Sequence, residues 1–429
     1  MTGVQTCALP IYLGWIASHG GGAELYWLCD SLFTGGLRHA GFNEDLFAWI
    51  RDGRLVFLRK PNDLGVDQDD TSEMTQRFLR PIALLCIYLR LIGTVFMKQF
   101  KGSILANFDP YWNASMGPNS SFPLQACCSR GGSQQIQLSI VERMHAPGAV
   151  ELFVLCLDRE MGFQRALRRR LFQQLLARNP GLYPWARFRL GAASRRYMRM
   201  EDGSKRVIWS TRGPGQGDPC GPTDYGYADA EHLAAMHAAA GGEPVLAFVD
   251  DEHVVGSAET LAALARDLCD ERSACSFEST GARPNWDKSC IWGRATPLGV
   301  GADEEAATTR ARLRAIFPEA VHCMRGLREP NDAAESTEKA IRKSQGVVVM
   351  GSPLLGTPEF FSRVLNEALE EIKSYVSEAT DVLLGPGAGY SDEYLALMKS
   401  TLPGRFSHHC SIVPGDILAP FTRRFDQIT

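Results

Sequence analysis

Although the sequence of 429 residues contains 12 cysteines, it has no C-x-x-C pair. Zinc modules and disulfide frameworks use close, regular cysteine spacings, so these scattered cysteines predict neither. The sequence also lacks a recognisable secretory signal, and its apolar run ending near Met97 contains Arg90 and is too short to cross a bilayer. These absences favour an intracellular protein of the nucleus or cytoplasm, not secreted, with reduced thiols and no membrane segment.

A strong net charge of one sign is also missing. The formal charge is −4, and 45% hydrophobic with 22% charged residues is ordinary for a soluble globular chain. A local basic face can still attract a phosphate backbone, but basic residues can equally form a solvated helix face, and the sequence leaves both interpretations open. The basic residues concentrate in one region, at Arg165, Arg168, Arg169, Arg170, Arg178, Arg187, Arg189, Arg195, Arg196, Arg199, Lys205, Arg206 and Arg212.

The stretch 245–255 places a pair of carboxylates between two apolar runs. β-Forming residues lead into Asp250 and Asp251 and a second apolar run follows, which predicts a strand, a tight turn and a returning strand. Adjacent carboxylates repel each other unless a cation lies between them, and Mg²⁺ prefers oxygen ligands of this kind. An Asp-Asp pair can equally belong to a solvated loop, which is how we interpret Asp69-Asp70.

Apolar periodicity and turn residues predict the remaining elements. Strands are predicted at 53–58, 151–157, 286–292 and 346–350, and a hairpin is predicted at 197–210. Helices are predicted within 23–50 and at 82–97, 134–144, 166–178, 225–240, 259–273 and 358–376. Loops are predicted at 59–72, 107–133 and 213–222, and the acidic, Ala-rich segment 293–343 is predicted as surface helix and linker. No internal repeat stands out.

Three acids therefore follow predicted strands. Asp158 comes directly after the strand 151–157, and Asp250 and Asp251 lie at the hairpin turn. If the two strands are neighbours in one sheet, the three carboxylates converge. Two divalent metal ions about 3.5–4 Å apart could then activate a 3′-hydroxyl and neutralise a leaving pyrophosphate.

Further blocks accompany these acids in a fixed order. They are Arg80-Pro-Ile82, Asp158-Arg-Glu-Met-Gly-Phe163, Asn179-Pro-Gly-Leu-Tyr-Pro-Trp185, Gly215-Gln-Gly-Asp-Pro219, Phe248-Val-Asp-Asp251, Asn285-Trp-Asp-Lys288 and Val349-Met-Gly351. In this order the blocks resemble the motifs of reverse transcriptases, most closely those of non-LTR (LINE-type) retrotransposons and related retroelements. The resemblance covers most of residues 50–429, and the ordered combination is far more specific than any single block.

The resemblance implies an α+β fold, a right-hand polymerase with fingers, a palm containing an antiparallel sheet, and a helical thumb. It implies an N-terminal extension and fingers at 12–150 and a palm at 151–300, with a fingers-side helix and hairpin at about 165–212. A variable linker at 301–345 and a primer-grip turn with thumb helices at 346–429 would follow. The implied activity is RNA-directed DNA polymerisation with an RNA template, a DNA primer or target, dNTPs, and two Mg²⁺ ions, or Mn²⁺ in their place. The oligomeric state is not predicted.

The resemblance also implies roles for four residues in the chemistry. Asp158, Asp250 and Asp251 would bind the metal ions, and Lys288 would protonate pyrophosphate. Lys288 has a structural alternative, because a lysine at a strand end is often only a solvated charge.

Four more residues would bind the nucleotide. Arg80 would contact the triphosphate, and Phe163 would exclude a ribose 2′-hydroxyl and so select deoxynucleotides. Gln216 and Gly217 would line the nucleotide and template pocket. The structural alternatives are a surface ion pair for Arg80, core packing for Phe163, and an ordinary turn for Gln216 and Gly217, since no P-loop lysine follows.

The chain departs from the family pattern at several positions. Met161-Gly162 stands where relatives commonly have Asn-Ala, and glycine, being smaller, should still admit a nucleotide. Glu252 adds a negative charge directly after the acid pair, with an effect that the sequence does not show. Gly221 stands where serine is frequent. None of these changes removes a predicted metal ligand.

Residues 1–11, MTGVQTCALPI, resemble the translation of a common sequencing-library adapter, so we expect the natural N-terminus, with any endonuclease, to be missing. No apurinic-type endonuclease, RNase H or zinc-knuckle pattern is recognisable. Two alternatives to a reverse transcriptase stay open. One is an RNA-dependent RNA polymerase, whose palm also ends in paired aspartates, and the other is a degenerate, non-catalytic RNA-binding remnant of a retroelement.

Overall fold

The computed structural model describes residues 48, 51–59, 79–108, 124–129, 131–146, 151–200, 202–293, 304–328, 346–384, 413 and 415–428. The segment 1–11, most of the predicted helical region 23–50, the loop 60–72 with Asp69-Asp70, and much of the loop 107–133 and of the linker lie outside these residues. The side chains of residues 57–59 and 79–81, which include that of Arg80, also lie outside the description.

The secondary structure mixes strands and helices along the whole described chain. The strands are β1 (Gly53–Arg59), β2 (Leu79–Leu85), β3 (Leu124–Gln125), β4 (Leu152–Leu157), β5 (Arg159–Glu160), β6 (Ser194–Arg199), β7 (Lys205–Ser210), β8 (Val245–Phe248), β9 (Asp251–Ser257), β10 (Arg283–Pro284), β11 (Cys290–Gly293), β12 (Gly346–Val349) and β13 (Ser352–Gly356). The helices are α1 (Ile87–Gln99), α2 (Lys101–Phe108), α3 (Gly132–His145), α4 (Gly162–Arg165), α5 (Arg168–Arg178), α6 (Tyr183–Leu190), α7 (Gly221–Ala239), α8 (Ala258–Cys269), α9 (Phe277–Thr280), α10 (Glu304–Ile316), α11 (Pro358–Leu384) and α12 (Gly415–Ile428).

A five-stranded sheet in the order β11-β4-β9-β8-β3 forms the centre of the fold. Strand β4 pairs antiparallel with both β9 and β11, and β8 and β9 form an antiparallel hairpin. Only the short edge strand β3 pairs parallel, with β8. The predicted mixture of helices with antiparallel sheet is therefore confirmed.

The two faces of this central sheet bury different cores, because successive side chains of a strand point to opposite faces. Leu155 and Leu157 of β4 pack with helices α7, α8 and α10 on one side, which we call the helix face. Val154 of β4 and Trp292 of β11 pack with α3 and the β12–β13 hairpin on the other side, which we call the hairpin face. Burying one large apolar side chain contributes about 1.5–3 kcal/mol, so both faces hold the sheet in place.

The segment predicted as surface helix and linker differs from the prediction in its packing. Helix α10 is present, but Leu313 and the following Phe317 are buried in the core of the helix face. The acidic and Ala-rich composition of the segment is typical of a solvated helix. Composition alone therefore does not indicate that a few apolar residues pack into the core. Part of the expected linker therefore belongs to the core.

A second, four-stranded sheet has the order β2-β1-β6-β7. Strands β1 and β2 pair antiparallel, as do β6 and β7, whereas β1 and β6 pair parallel over two residues. The single helix predicted at 82–97 is wrong in its first part, since residues 79–85 form β2 and the helix begins at Ile87. A short apolar run is compatible with either a helix or a strand, and here its pairing with β1 favours the strand.

The C-terminal part contributes a pair of packed helices. Phe361, Leu365 and Leu369 of α11 are buried against Leu418 and Phe421 of α12. Helix α11 extends the predicted helix 358–376 to Leu384. Among the helices of the described ranges, none combines the length and apolar character needed to cross a bilayer.

Candidate functional site

The structure places the two segments that carry the three predicted acids next to each other at one end of the central sheet. Strand β4 pairs with β9 so that Leu157 lies opposite Glu252, which places the next residue, Asp158, beside Asp251. Asp250 occupies the turn between β8 and β9. A Cβ atom built on Gly162, four residues after Asp158, would lie 3.0 Å from the Cβ of Asp250. The predicted adjacency of the two acid-bearing segments is therefore present, and the metal-binding role stays a prediction.

Strand alternation decides which way these acids point. Val154 and Cys156 pack on the hairpin face, and Asp158 continues this even-numbered series. Glu252 is buried on the helix face, so its neighbour Asp251 belongs to the hairpin face with Asp158. The acids lie where the sheet meets solvent, since Asp158 and Asp250 are half-buried and Asp251 is exposed.

The tight turn before the acid pair is held in a strained conformation. Val249 has φ of 58°, in the left-handed region that a β-branched residue rarely adopts. The Val249 N–H donates to Oε1 of Gln125 at 2.7 Å, and Nε2 of Gln125 donates to the Val249 carbonyl at 3.1 Å. Because Gln125 is fully buried, this amide fixes both polar groups of the turn residue. No sequence pattern marks Gln125, and its role was not predicted.

Asp158 is also held from its other side, by the turn that carries Lys288. The Asp158 N–H donates to Oγ of Ser289 at 3.1 Å, and the Asn285 N–H donates to the Asp158 carbonyl at 2.9 Å. Residues 285–289 thus form a turn and only Cys290–Gly293 form a strand, so the predicted strand 286–292 starts too early. Lys288 is exposed on this turn, and its role in protonation stays a prediction.

The structure also brings the Gln216-Gly217 loop to strand β2. The Ala83 N–H donates to the Gln216 carbonyl at 2.8 Å, and the side-chain amides of Gln164 and Gln216 bond at 3.1 Å. Gly217 has φ of 99°, and a Cβ there would lie 2.7 Å from the Ala83 carbonyl oxygen, so only glycine fits. The loop therefore joins β2, which carries Arg80, to the segment that follows Asp158.

Phe163 is packed as a core residue. Its side chain is 8% exposed and stacks on Tyr225 with ring centroids 5.5 Å apart. A Cβ on Gly221 would lie 2.9 Å from the Phe163 ring, which explains why glycine, and no larger residue, occupies that position. These contacts are those of a core residue, as the structural alternative for Phe163 expected. The role of Phe163 in excluding a ribose 2′-hydroxyl stays a prediction.

A buried ion network lies behind the acids, on the helix face. The Arg159 guanidinium donates to Asp229 at 2.7 and 3.2 Å, donates to the Tyr225 hydroxyl at 3.1 Å, and pairs with Glu252. Arg159 also lies over the Phe277 ring at 5.4 Å. Arg159 directly follows Asp158 and Glu252 directly follows Asp251, so their ion pair ties the two acid-bearing segments together. Glu252 thus points away from the acid pair.

Burial controls the charges of this network. Desolvation raises the pKa values of Asp229 and Glu252, and Arg159 opposes the rise in both. Desolvation lowers the pKa of the neighbouring His232 to about 3, so His232 is neutral near pH 7. Ligand atoms of Asp229, His232 and Glu252 lie within 4.8 Å of one another, as in a metal site. Arg159 already supplies a positive charge between the carboxylates, so we assign no ion there.

A second buried arginine holds the loop that follows Gln216. Arg189 pairs with Asp218 and, at 2.6 Å, with Asp224. Arg189 lies over the Trp185 ring at 5.5 Å, and Oδ1 of Asp218 accepts from the Cys220 N–H at 2.9 Å. Desolvation raises the pKa of Asp224 to about 6, with Arg189 opposing the rise. The sequence marked Arg189 only as one of many basic residues.

No protein-family model and no curated protein matches the sequence. Among solved structures, the chain is similar to a telomerase from Candida tropicalis in complex with a TWJ fragment of telomeric RNA, with a TM-score of 0.38 and 11% identity over 88% of this chain and 62% of that one. A telomerase from Candida albicans in complex with a TWJ fragment gives 0.37 and 10%, over 88% and 60%. The apo telomerase from Candida tropicalis gives 0.34 and 9%, over 89% and 64%. This chain spans less than two thirds of each telomerase, and TM-scores this low carry no argument about its fold or function.

Proposed function

We propose that this chain is an RNA-directed DNA polymerase, a reverse transcriptase of a LINE-type or related retroelement. The observation that carries the proposal is the register of β4 with β9, which sets Asp158 beside Asp251 and close to Asp250. In this assignment the central sheet is the palm and the β2-β1-β6-β7 sheet belongs to the fingers. The α11–α12 pair is the thumb, reached through the β12–β13 turn as primer grip.

The donor set at the end of the sheet fits a pair of hard divalent cations. The two segments that carry these three carboxylates adjoin at the end of the sheet, where Asp158 and Asp250 are half-buried and Asp251 is exposed, and hard cations prefer such oxygen ligands. Asp158, Asp250 and Asp251 would hold two Mg²⁺ ions, with Mn²⁺ as a substitute. The ions, when bound, activate the primer 3′-hydroxyl and neutralise the leaving pyrophosphate.

The surrounding residues would bind and orient the substrates. The Gln216-Gly217 loop, fixed against β2, would form the pocket for the dNTP and the template base, with Arg80 contacting the triphosphate. Phe163 would close the pocket against a ribose 2′-hydroxyl. Lys288, on the turn bonded to Asp158, would donate a proton to the departing pyrophosphate. The RNA template and the DNA primer or target are the expected partners.

The test is primer extension on an RNA template with Mg²⁺. Asp158→Asn and Asp250→Asn remove one metal ligand each with almost no change of shape, and both should reduce extension to background. The matched control is Asp416→Asn, which changes an exposed acid of α12 and should leave extension unchanged. Normal extension by either site variant would refute the assignment.

The same assay separates the alternatives. Supplying NTPs in place of dNTPs identifies an RNA-dependent RNA polymerase, because only that enzyme would extend the primer with ribonucleotides. A chain that binds RNA but extends no primer with Mg²⁺ or Mn²⁺ would be a non-catalytic remnant.

A further inference from the structure

The outer strand of the four-stranded sheet exposes apolar side chains on both of its faces. Strand β7 is the last in the order β2-β1-β6-β7, and Val207, Ile208 and Trp209 are 43%, 38% and 59% exposed. Folded proteins usually cover or charge an edge strand, because exposed apolar edges promote association. Three consecutive exposed apolar residues on such an edge indicate a binding surface.

The pairing of β6 with β7 shows what one face of this hairpin presents. Arg195 lies opposite Trp209, Tyr197 opposite Val207, and Arg199 opposite Lys205. Since side chains alternate across a strand, these six residues share one face. The face therefore combines two aromatic rings with three cations, and we call it the hairpin platform.

The base of the platform is rigidly attached to the rest of the sheet. Asp52, which is 8% exposed, accepts from the Arg195 N–H and from its Nε, both at 2.7 Å. The Tyr197 hydroxyl donates to the same carboxylate at 3.4 Å, and the Arg195 guanidinium lies 5.8 Å from the Tyr197 ring. The distal residues Arg199 and Lys205 are exposed beyond this anchor.

The charge of the hairpin favours nucleic acid over a second copy of this chain as the occupant of the surface. The hairpin segment 194–212 carries two acidic residues, at 201 and 202, and six basic residues, Arg195, Arg196, Arg199, Lys205, Arg206 and Arg212. A second copy of the same edge would bring like charges together, which disfavours self-association. Cations that follow a phosphate backbone, interleaved with aromatic rings on which bases stack, are the usual means of binding single-stranded nucleic acid.

We propose that the hairpin platform binds single-stranded nucleic acid. Trp209 stacks on a base, and Arg199 and Lys205, on the same face, contact the neighbouring phosphates. The surface lies on a different sheet from the acids Asp158, Asp250 and Asp251, so the inference extends beyond the proposed chemistry and does not require it.

The test measures binding of the full chain to a fluorescently labelled 20-nucleotide oligo(U) by anisotropy, with oligo(dT) and an RNA duplex of the same length as further probes. Trp209→Ala should weaken oligo(U) binding roughly 5- to 100-fold, the loss of one stacked base, whereas Trp209→Phe should retain most of the affinity. Arg199→Ala with Lys205→Ala should lower the slope of log K against log salt by about 1.4, because two phosphate contacts of the platform are lost. Arg312→Ala, an exposed cation of α10, is the control and should bind like the wild type.

The outcomes separate this inference from the proposed polymerase activity. If the hairpin variants bind oligo(U) as tightly as the wild type, or if the wild type binds the duplex better than either single strand, the inference is overturned. A concentration-dependent dimer abolished by Trp209→Ala, without oligonucleotide binding, would also overturn it. Binding through the hairpin in a chain that extends no primer supports this inference and contradicts the proposed function. Stronger binding of oligo(U) than of oligo(dT) identifies RNA as the occupant.

Discussion

Two buried arginines, Arg159 and Arg189, have the same local design. Each lies between two carboxylates and over an aromatic ring, Arg159 with Asp229 and Glu252, and Arg189 with Asp218 and Asp224. They differ in what they hold, because the first links the segments that carry the candidate acids, whereas the second fixes the loop after Gln216-Gly217. Similar ion pairs thus support two different parts of one candidate site.

The two networks also differ in how fully their polar atoms are satisfied. Within the described part of the chain, Nδ1 and Nε2 of His232 and Oε2 of Glu252 are buried without a hydrogen bond. Around Arg189, Asp218 bonds a backbone N–H in addition to the arginine, while Nε of Arg189, like Nε of Arg159, is buried without a hydrogen bond to any described residue. Buried charges are costly unless well paired, so removing one charge from either network should lower the free energy of unfolding.

The largest expected effect comes from removing the arginines. Arg159→Met and Arg189→Met each leave two buried carboxylates without their cation, which should cost about 3–5 kcal/mol of unfolding free energy. Arg159→Met should also lower kcat for primer extension, because the neighbouring Asp158 and Asp251 lose their support. Arg189→Met should mainly raise KM for the dNTP. Urea unfolding and steady-state extension of the folded variants measure both effects.

Arg312→Met removes a cation at an exposed position and is the control. It should change neither the free energy of unfolding nor the kcat and KM of primer extension. Equal effects of the two arginine variants on kcat and on KM would show that the networks do not serve separate parts of the site.

A smaller effect is expected from neutralising one carboxylate of each network. Glu252→Gln keeps the shape and leaves Asp229 paired with Arg159, so it should cost about 1–3 kcal/mol, the range for one buried charged hydrogen bond. Asp218→Asn should cost a similar amount. Only Glu252→Gln weakens the link between the acid-bearing segments, so only this variant should raise the Mg²⁺ concentration that gives half-maximal extension. An unchanged Mg²⁺ dependence in Glu252→Gln would contradict that role.

The smallest effect is a pH dependence of opposite sign at two single residues, His232 in the Arg159 network and Asp224 in the Arg189 network. The pKa of His232 is lowered to about 3, so its neutral form stabilises the fold above pH 6.5 and this contribution is lost as the pH falls toward 3. The pKa of Asp224 is raised to about 6, so its contribution is present below about pH 4 and is lost as the pH rises through 6. The contribution of each residue to the free energy of unfolding should change by about 1–2 kcal/mol between pH 8 and pH 5.

Urea unfolding at pH 8 and pH 5 measures these contributions. The wild type should lose stability relative to His232→Leu on acidification and gain stability relative to Asp224→Asn. Parallel pH profiles for the wild type and both variants would show that neither group titrates as its burial implies.

Local sequence patterns predicted the elements that carry the acids. The apolar run of β4 ends at Asp158, and the alternation around Asp250 and Asp251 indicates a hairpin, because both signals lie within a few neighbouring residues. The same holds for the β6–β7 hairpin, where Asp202-Gly203 marks the turn. The domain boundaries proposed from the resemblance stay predictions.

The contacts that position the site could not be predicted in this way. Arg159 and Glu252 are 93 residues apart, and Gln125 is 124 residues from Val249, so no periodicity or spacing connects them. The end of strand β2 was predicted as part of a helix. Its extended conformation depends on pairing with β1, which the local sequence does not show. Buried polar partners are selected by the packed fold, which a single sequence does not reveal.

The most direct test of the central claim replaces Mg²⁺ by Fe²⁺ and uses ascorbate and peroxide to cleave the backbone near the bound ion. If the acids share one metal site, cleavage should occur both near Asp158 and near Asp250 and Asp251, and excess Mg²⁺ or Asp158→Asn should suppress it at both places. Cleavage at only one of the two segments, or at neither, would contradict the account.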